Sequence, residues 1–314
     1  MILTVTLNAA MDRTLVVPNF AGGFRHRATD TYAMPGGKGV NVARTIKTLG
    51  QPVIATGFAG GGTGDRIVAD LNREGILCDF VAIQAESRTS TAVLDPTAGV
   101  ATEINEYGPW ITSEELNLMQ EKLDYLAKAA DLVVLAGSLP RGLPTDIYAT
   151  LTRGFQRRGL QVFLDTAGEP LRQGIKAGPD VVFPNQVEAE MVVGHEFSGD
   201  DDYLRGVSDL VQLGAKGVVI TRKEGCAAQI GRGEDPSRFL GRTVEVESVS
   251  SIGSGDALVG GFAVGVIEGR SDLESLRLGL ACAAANTLDY GAGSLDAKMV
   301  ERFVDKVEVD EVRE

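Results

Sequence analysis

Short runs of β-branched and other apolar residues alternate with helical patterns almost from end to end of this 314-residue chain. The apolar runs predict strands at 2–7, 53–58, 131–136, 161–165, 180–183, 217–221, 226–230 and 242–247. Between them apolar positions recur at helical spacing, as in Val42, Ala43, Ile46 and Leu49, and Gly50 stands where a left-handed cap would close that helix. Thr112 with Glu115 predicts a capping box opening a helix that runs to about 129. From 254 onward the pattern is mainly helical, with helices predicted at 254–268, 272–288 and 296–306. Such alternation implies βαβ units and an α/β fold: a mostly parallel sheet with helices on both faces.

Two segments break the rhythm. Residues 12–34 and 87–107 hold alternating stretches such as Thr14-Leu15-Val16-Val17 and Thr91-Ala92-Val93-Leu94 without room for a crossover helix. They predict strands of a small extra sheet, serving as a lid or as an oligomer surface. The domain division expected is therefore a main α/β unit of 1–11, 35–86 and 108–314, with a β-sheet lid of 12–34 and 87–107.

Composition narrows the function. With 43 acidic and 30 basic side chains the formal net charge is −13, which argues against a nucleic-acid partner, since phosphate is attracted by a basic face. Cys78, Cys226 and Cys282 form no C-x-x-C, and His26 and His195 are the two histidines, too few ligands for a zinc or iron–sulfur site. Unpaired thiols, no basic-then-apolar leader and no apolar stretch near the roughly 20 residues of a membrane span predict a cytoplasmic protein with no membrane partner. Glycine is in excess, 39 residues against a usual share of about 7%, so backbone must come close to something in several turns.

Two glycine loops carry chemistry. There is no G-x-x-x-x-G-K-[ST] and no G-x-G-x-x-G, so Walker-type and simple dinucleotide sites lose their main support. Instead Pro35-Gly36-Gly37-Lys38-Gly39-Val40-Asn41 feeds a helix, where free amides, the Lys38 ammonium and the Asn41 amide suit an anionic or polyhydroxyl ligand. The plain alternative is a flexible turn with an exposed lysine. Ser251-Ile252-Gly253-Ser254-Gly255-Asp256 opens a second, apolar helix. Its successive amides can form an anion hole, and Asp256 in the first turn can take a proton from an attacking hydroxyl; the alternative is an aspartate merely capping a buried helix.

Both loops, in order and separation, resemble the two signatures of the ribokinase-like, phosphofructokinase-B family of carbohydrate kinases, and the resemblance covers essentially the full chain. Thr6-Leu7-Asn8-Ala9-Ala10-Met11-Asp12, Thr102-Glu103-Ile104-Asn105-Glu106, Ala136-Gly137-Ser138-Leu139-Pro140 and Leu164-Asp165-Thr166 are similar to the branch of 1-phosphofructokinases and tagatose-6-phosphate kinases. The resemblance implies a three-layer α/β/α domain with a lid. It implies sugar contacts from Asp12, Gly37, Lys38, Asn41 and Ser90, and phosphate contacts from Lys38, Arg88 and Ser138. Gly253, Ser254, Gly255 and the base Asp256 form its catalytic loop. Asn185, Thr221, Gly225, Gly253, Gly255 and Asn286 are expected at the nucleotide, and Glu188 at a metal ion through water. Expected cofactors and partners are Mg2+, ATP as phosphate donor, a sugar phosphate, and a second copy paired through the lid. Lys38 and Arg88 are expected to make a locally positive pocket in an acidic protein.

The chain departs from the branch at Ala9 (usually proline), at Ser90 (usually asparagine), at Phe183 (commonly lysine) and in the short segment 221–225. Fructose 1-phosphate is the first acceptor implied, tagatose 6-phosphate or fructose 6-phosphate the next. A kinase of an unphosphorylated sugar or nucleoside, or a sugar-phosphate sensor without catalysis, stays open.

Overall fold

A computed structural model describes residues 1–231 and 236–312. In chain order the first elements are β1 (Ile2–Thr6), β2 (Ala10–Val16), β3 (Asp30–Gly36), α1 (Lys38–Thr48), β4 (Val53–Gly60), α2 (Gly61–Arg73), β5 (Leu77–Cys78) and β6 (Val81–Ile83). There follow β7 (Arg88–Asp95), β8 (Val100–Asn105), α3 (Ser113–Leu126), β9 (Leu132–Ala136), α4 (Ile147–Gln156), β10 (Gln161–Asp165), α5 (Gly168–Ile175) and β11 (Val181–Val182). The remainder are α6 (Gln186–Val193), α7 (Asp200–Gln212), β12 (Val218–Arg222), β13 (Gly225–Ile230), β14 (Ser237–Arg242), α8 (Ser254–Ile267), α9 (Asp272–Asn286), α10 (Ala297–Val304) and β15 (Glu308–Val312).

The large sheet runs β15-β14-β13-β12-β11-β10-β9-β1-β4-β5, with β6 beside the end of β4. Neighbours are parallel from β12 to β5 and antiparallel from β12 to β15. Strand periodicity divides the core between its two faces. Ile2, Leu132, Val134 and Phe163 pack with α1, α8, α9 and α10, whereas Leu3, Val5, Val133, Leu135 and Leu164 pack with α3, α4, α5 and α7. Both faces are covered, so these strands read as continuous apolar runs.

Most predicted elements stand where the periodicity put them. The capping box at Thr112 and Glu115 is present, and Gly50 is left-handed at φ 83°. One strand is displaced: the alternation of residues 243–247 imitates a strand, but β14 ends at Arg242. Val244 and Val246 pack on the core without a strand neighbour, because the edge of the sheet beyond β14 is taken by β15. That edge strand, Glu-Val-Asp-Glu-Val, is too acidic to stand out in a hydrophobic pattern.

Helix α8 is apolar all round and is buried continuously from Asp256 to Gly265. Small residues let it lie close to α9: a Cβ on Gly261 would stand 2.7 Å from Cys282 Sγ and 2.9 Å from Gly279 Cα. Since the first turn of α8 carries Asp256, this contact also fixes where that carboxylate sits.

The small sheet has the order β3-β2-β7-β8. It hangs from the large one through short connections, three residues between β1 and β2 and one between β3 and α1. Gly261→Ala is expected to overpack the α8–α9 contact and cost about 1–3 kcal/mol; the midpoint of urea unfolding should fall, and an unchanged midpoint would show that the helices can separate freely.

Candidate active site

The carboxyl ends of β1, β9, β10, β11 and β12 open into one cavity of about 1210 Å³, roofed by the small sheet. Open parallel sheets bind ligands at this edge, where loops and helix N-termini converge. Register sets the roof. Met34, Asp12, Ser90 and Asn105 are partners across β3, β2, β7 and β8, and Tyr32, Thr14, Ala92 and Glu103 form the next row on the same face; all eight line the cavity.

On the floor, Lys38 donates to Asp165 at 2.7 Å. Asp165, which ends β10, is 2% exposed. Burial opposes the Lys38 charge, but Asp165, Asp256 and Glu188 outweigh it and hold the ammonium well above the ordinary lysine range. Asp256, 6% exposed, accepts a 2.8 Å hydrogen bond from Asn41 Nδ2. Loss of hydration pushes its carboxyl up to about 7, against the pull of Lys38 and Asn41 and with the push of Asp165 and Asp12. Burial also raises Glu188, whose carboxylate accepts from the Asn185 backbone N–H in a capping box at the start of α6.

Under the roof, Asp12 is pushed up to about 6 by burial, with Arg88, Arg44 and the Gly37 amide pulling it down. Its place demands glycine at 36, since a Cβ there would stand 1.9 Å from Asp12 Oδ2. Arg88 donates through Nε to the Asn8 carbonyl at 3.2 Å, and Asn8 Nδ2 donates to Ser138 Oγ at 3.0 Å. The Ser90 hydroxyl donates to Asn105 Oδ1, so at this departure from the family pattern an amide still stands one strand away. Helix α8 begins at left-handed Gly253, φ 81°, with no side-chain cap, and α1 begins at Gly37 in the same uncapped way. The Val40 and Ser254 amides turn back to the Gly37 and Ser251 carbonyls, and those of Lys38, Gly39, Gly255 and Asp256 are left for a ligand.

Thirteen residues expected at the site do line the cavity: Asp12, Gly37, Lys38, Asn41, Arg88, Ser90, Ser138, Asn185, Glu188, Thr221, Gly253, Gly255 and Asp256. Three do not. Asn286 is fully buried; it donates to the Ile252 carbonyl at 2.8 Å and accepts from the Gly293 N–H at 2.7 Å, bracing the anion loop from behind. Gly225 lies in the β13–β14 pairing, where a Cβ would stand 2.0 Å from the Gly241 carbonyl oxygen. Ser254 sits in the first turn of α8 outside the cavity wall. Phe183 lines the cavity but packs against Phe163 and Phe262, with ring centroids 5.5 and 5.6 Å away, so an apolar wall replaces a charge there.

The cavity is not positive overall. Arg13, Lys38, Arg88 and Arg141 face Asp12, Glu103, Glu106, Asp165, Glu188 and Asp256. Asp165 is the partner that sequence reasoning left without a role; its signal was a carboxylate ending the apolar run Val162-Phe163-Leu164. No group of three or more His, Cys, Asp or Glu among the described residues could hold a metal ion alone. The floor's surplus of carboxylate fits a divalent cation that arrives with phosphate oxygens and keeps several waters, as Mg2+ does.

No helix among the described residues is long and apolar enough to cross a membrane. Comparison with known proteins agrees with the geometry. The chain is 32% identical over 288 residues to a 1-phosphofructokinase of Borreliella burgdorferi, covering 92% of each chain. It is 31% identical to a tagatose-6-phosphate kinase of Staphylococcus epidermidis, covering 99% of this chain and 100% of the other. A crystal structure of phosphofructokinase-2 from Escherichia coli, in complex with substrates and products, superposes with a TM-score of 0.88 at 28% identity, covering 97% and 98% of the two chains. The pfkB family carbohydrate kinase model matches residues 3–298, nearly the whole chain, and the protein therefore belongs to the pfkB family of carbohydrate kinases.

Proposed function

We propose that the protein transfers the γ-phosphoryl group of ATP to a ketohexose phosphate, with fructose 1-phosphate, giving fructose 1,6-bisphosphate, as the first acceptor. The observation that carries this reading is the placement of Asp256. It is a nearly water-free carboxylate at the uncapped start of α8, held by Asn41 and facing the Asp12 side of the cavity. Phosphoryl transfer asks of a protein mainly alignment, charge neutralisation and a base.

Asp12 and Asn41 receive the sugar hydroxyls, and Arg88, Ser138 and Lys38 the acceptor's phosphate. Asp256 takes the proton of the free primary hydroxyl as that oxygen bonds to the γ-phosphorus; the bridging bond to the β-phosphate breaks and its electron pair leaves with ADP. Amides of Gly255 and Asp256 donate to the transferring oxygens, and Asn185 and Thr221 lie toward the nucleotide. Glu188 would hold Mg2+ through water, and the ion would neutralise charge on the donor phosphates. With the floor carboxylates already outnumbering Lys38, that neutralisation must come in with the nucleotide. The small sheet acts as a lid, since its rows through Asp12 and Thr14 close the cavity from above. Its outer strand β8 is exposed at all six positions, Val100 and Ile104 included, which supports pairing with a second copy of this chain.

Four outcomes test these statements. In ADP release with fructose 1-phosphate, tagatose 6-phosphate, fructose 6-phosphate, free fructose and ribose, turnover is expected with a phosphorylated ketohexose, fructose 1-phosphate foremost; turnover with the free sugars alone would reject the reading. Asp256→Asn should lower kcat by about 10²- to 10⁴-fold with acceptor binding kept. Because a raised carboxyl holds its proton below its pKa, kcat/KM of the native enzyme should fall as pH drops through about 7, and Asp256→Asn should lose that acid limb. Light scattering should give the mass of a dimer, and a monomer at working concentration would remove the pairing.

A further inference from the structure

Arg44 lies on α1 outside the cavity and takes no part in the transfer described above, yet it is 7% exposed and fully engaged. A guanidinium has five N–H donors and no acceptor. Nε donates to Glu74 Oε2 at 2.7 Å; Nη2 donates to Glu74 Oε1 at 3.3 Å and to the Pro35 carbonyl at 2.7 Å. Nη1 donates to the Ala292 carbonyl at 2.7 Å and to Asn41 Oδ1 at 3.2 Å. These partners come from separate parts of the site. Pro35 precedes the glycine that packs on Asp12, and Ala292 is the residue on which Gly253 rests, a Cβ there meeting Ala292 Cα at 2.7 Å. Glu74, just past α2, anchors the guanidinium from the outside.

The contact to Asn41 has a consequence of direction. An amide has an accepting end and a donating end. Because Arg44 can only donate, Asn41 must turn Oδ1 toward it, and Nδ2 is then left for Asp256 Oδ2, 2.8 Å away. We propose that Arg44 is a positioning residue that fixes the direction of the Asn41 amide, so that Asp256 always meets a donor, and that ties this setting to the end of β3 and to the loop at Ala292. A donor at Asp256 favours the ionised carboxylate, whereas a flipped amide would place an oxygen there and require a proton between them. The other groups bearing on Asp256 are Lys38 from α1, Asp165 from the end of β10 and Asp12 from β2. Of these Asp12 also feels the Arg44 charge, so the conservative variant must keep that charge.

The inference rests on the reading of Asp256 as the base, and its test separates the two. The dependence of kcat/KM on pH is measured for the native enzyme, Asp256→Asn, Arg44→Lys and Glu74→Gln, with thermal unfolding alongside. Lysine keeps the charge but offers three donors to four partner residues, so the long contact to Asn41 is the one given up. Arg44→Lys should move the acid midpoint to higher pH by about one unit and lower kcat by up to about 10²-fold, with the acceptor's KM changing far less. Lost activity with an unmoved midpoint would overturn the proposal. Should Arg44→Lys fail to unfold cooperatively, Glu74→Gln, which weakens the anchor and leaves Arg44 in place, must move the midpoint in the same direction, and an unmoved midpoint there overturns it equally. Full turnover in Asp256→Asn would instead remove the base. Loss of the acid limb in Asp256→Asn beside a native midpoint in Arg44→Lys would remove only the role of Arg44.

Discussion

Asp165, Glu188 and Asp256 share one ammonium, Lys38, at the carboxyl edge of the large sheet, and the two aspartates are withdrawn from water. Two buried carboxylates beside one lysine cannot both be neutralised by it. Desolvation and mutual repulsion therefore raise the one without the direct ion pair, Asp256, while Asp165 keeps the 2.7 Å contact. The floor of the site therefore carries more carboxylate than its one ammonium can balance. The sequence reading placed Lys38 in a positive pocket; folded, most of that charge is engaged by Asp165, and the local balance is negative.

Holding such a group in place demands a rigid frame, and the frame is built from close backbone approaches. Gly261 and Gly279 bring α9 against α8, Gly260 brings α8 against Thr45 of α1, and Gly253 rests on Ala292. Each approach lies where a side chain would push the first turns of α1 or α8 away from the cavity. The glycine excess is thus divided between loops that offer amides and helix faces that allow contact. Asn286, expected at the nucleotide, joins Ile252 to Gly293 through its amide, behind the loop that opens α8.

The roof follows from β-sheet register. With Asp12 opposite Met34 and Ser90, and Ser90 opposite Asn105, a shift of one residue would turn this whole polar row to the outer face. Short connections from β1 and into α1 leave little freedom for such a slip, and Gly36 packed on Asp12 removes more. The small sheet's geometry is in this sense continuous with that of the floor.

Periodicity along the chain determined the element types, the parallel α/β class and the extra small sheet, because core-facing spacing of 2 or 3.6 residues is a local property written in consecutive positions. It also located Asp256 and Lys38, since glycine loops that open helices are local as well. It misplaced β14 and missed β15, where alternation had no partner or charge hid the strand. What only the tertiary structure decided is which charges meet: Asn41 with Asp256 across 215 residues of chain, Lys38 with Asp165 across 127, and Arg44 with Ala292 across 248. Those pairings set protonation and direction, and they depend on burial and distance, which no spacing along the sequence encodes.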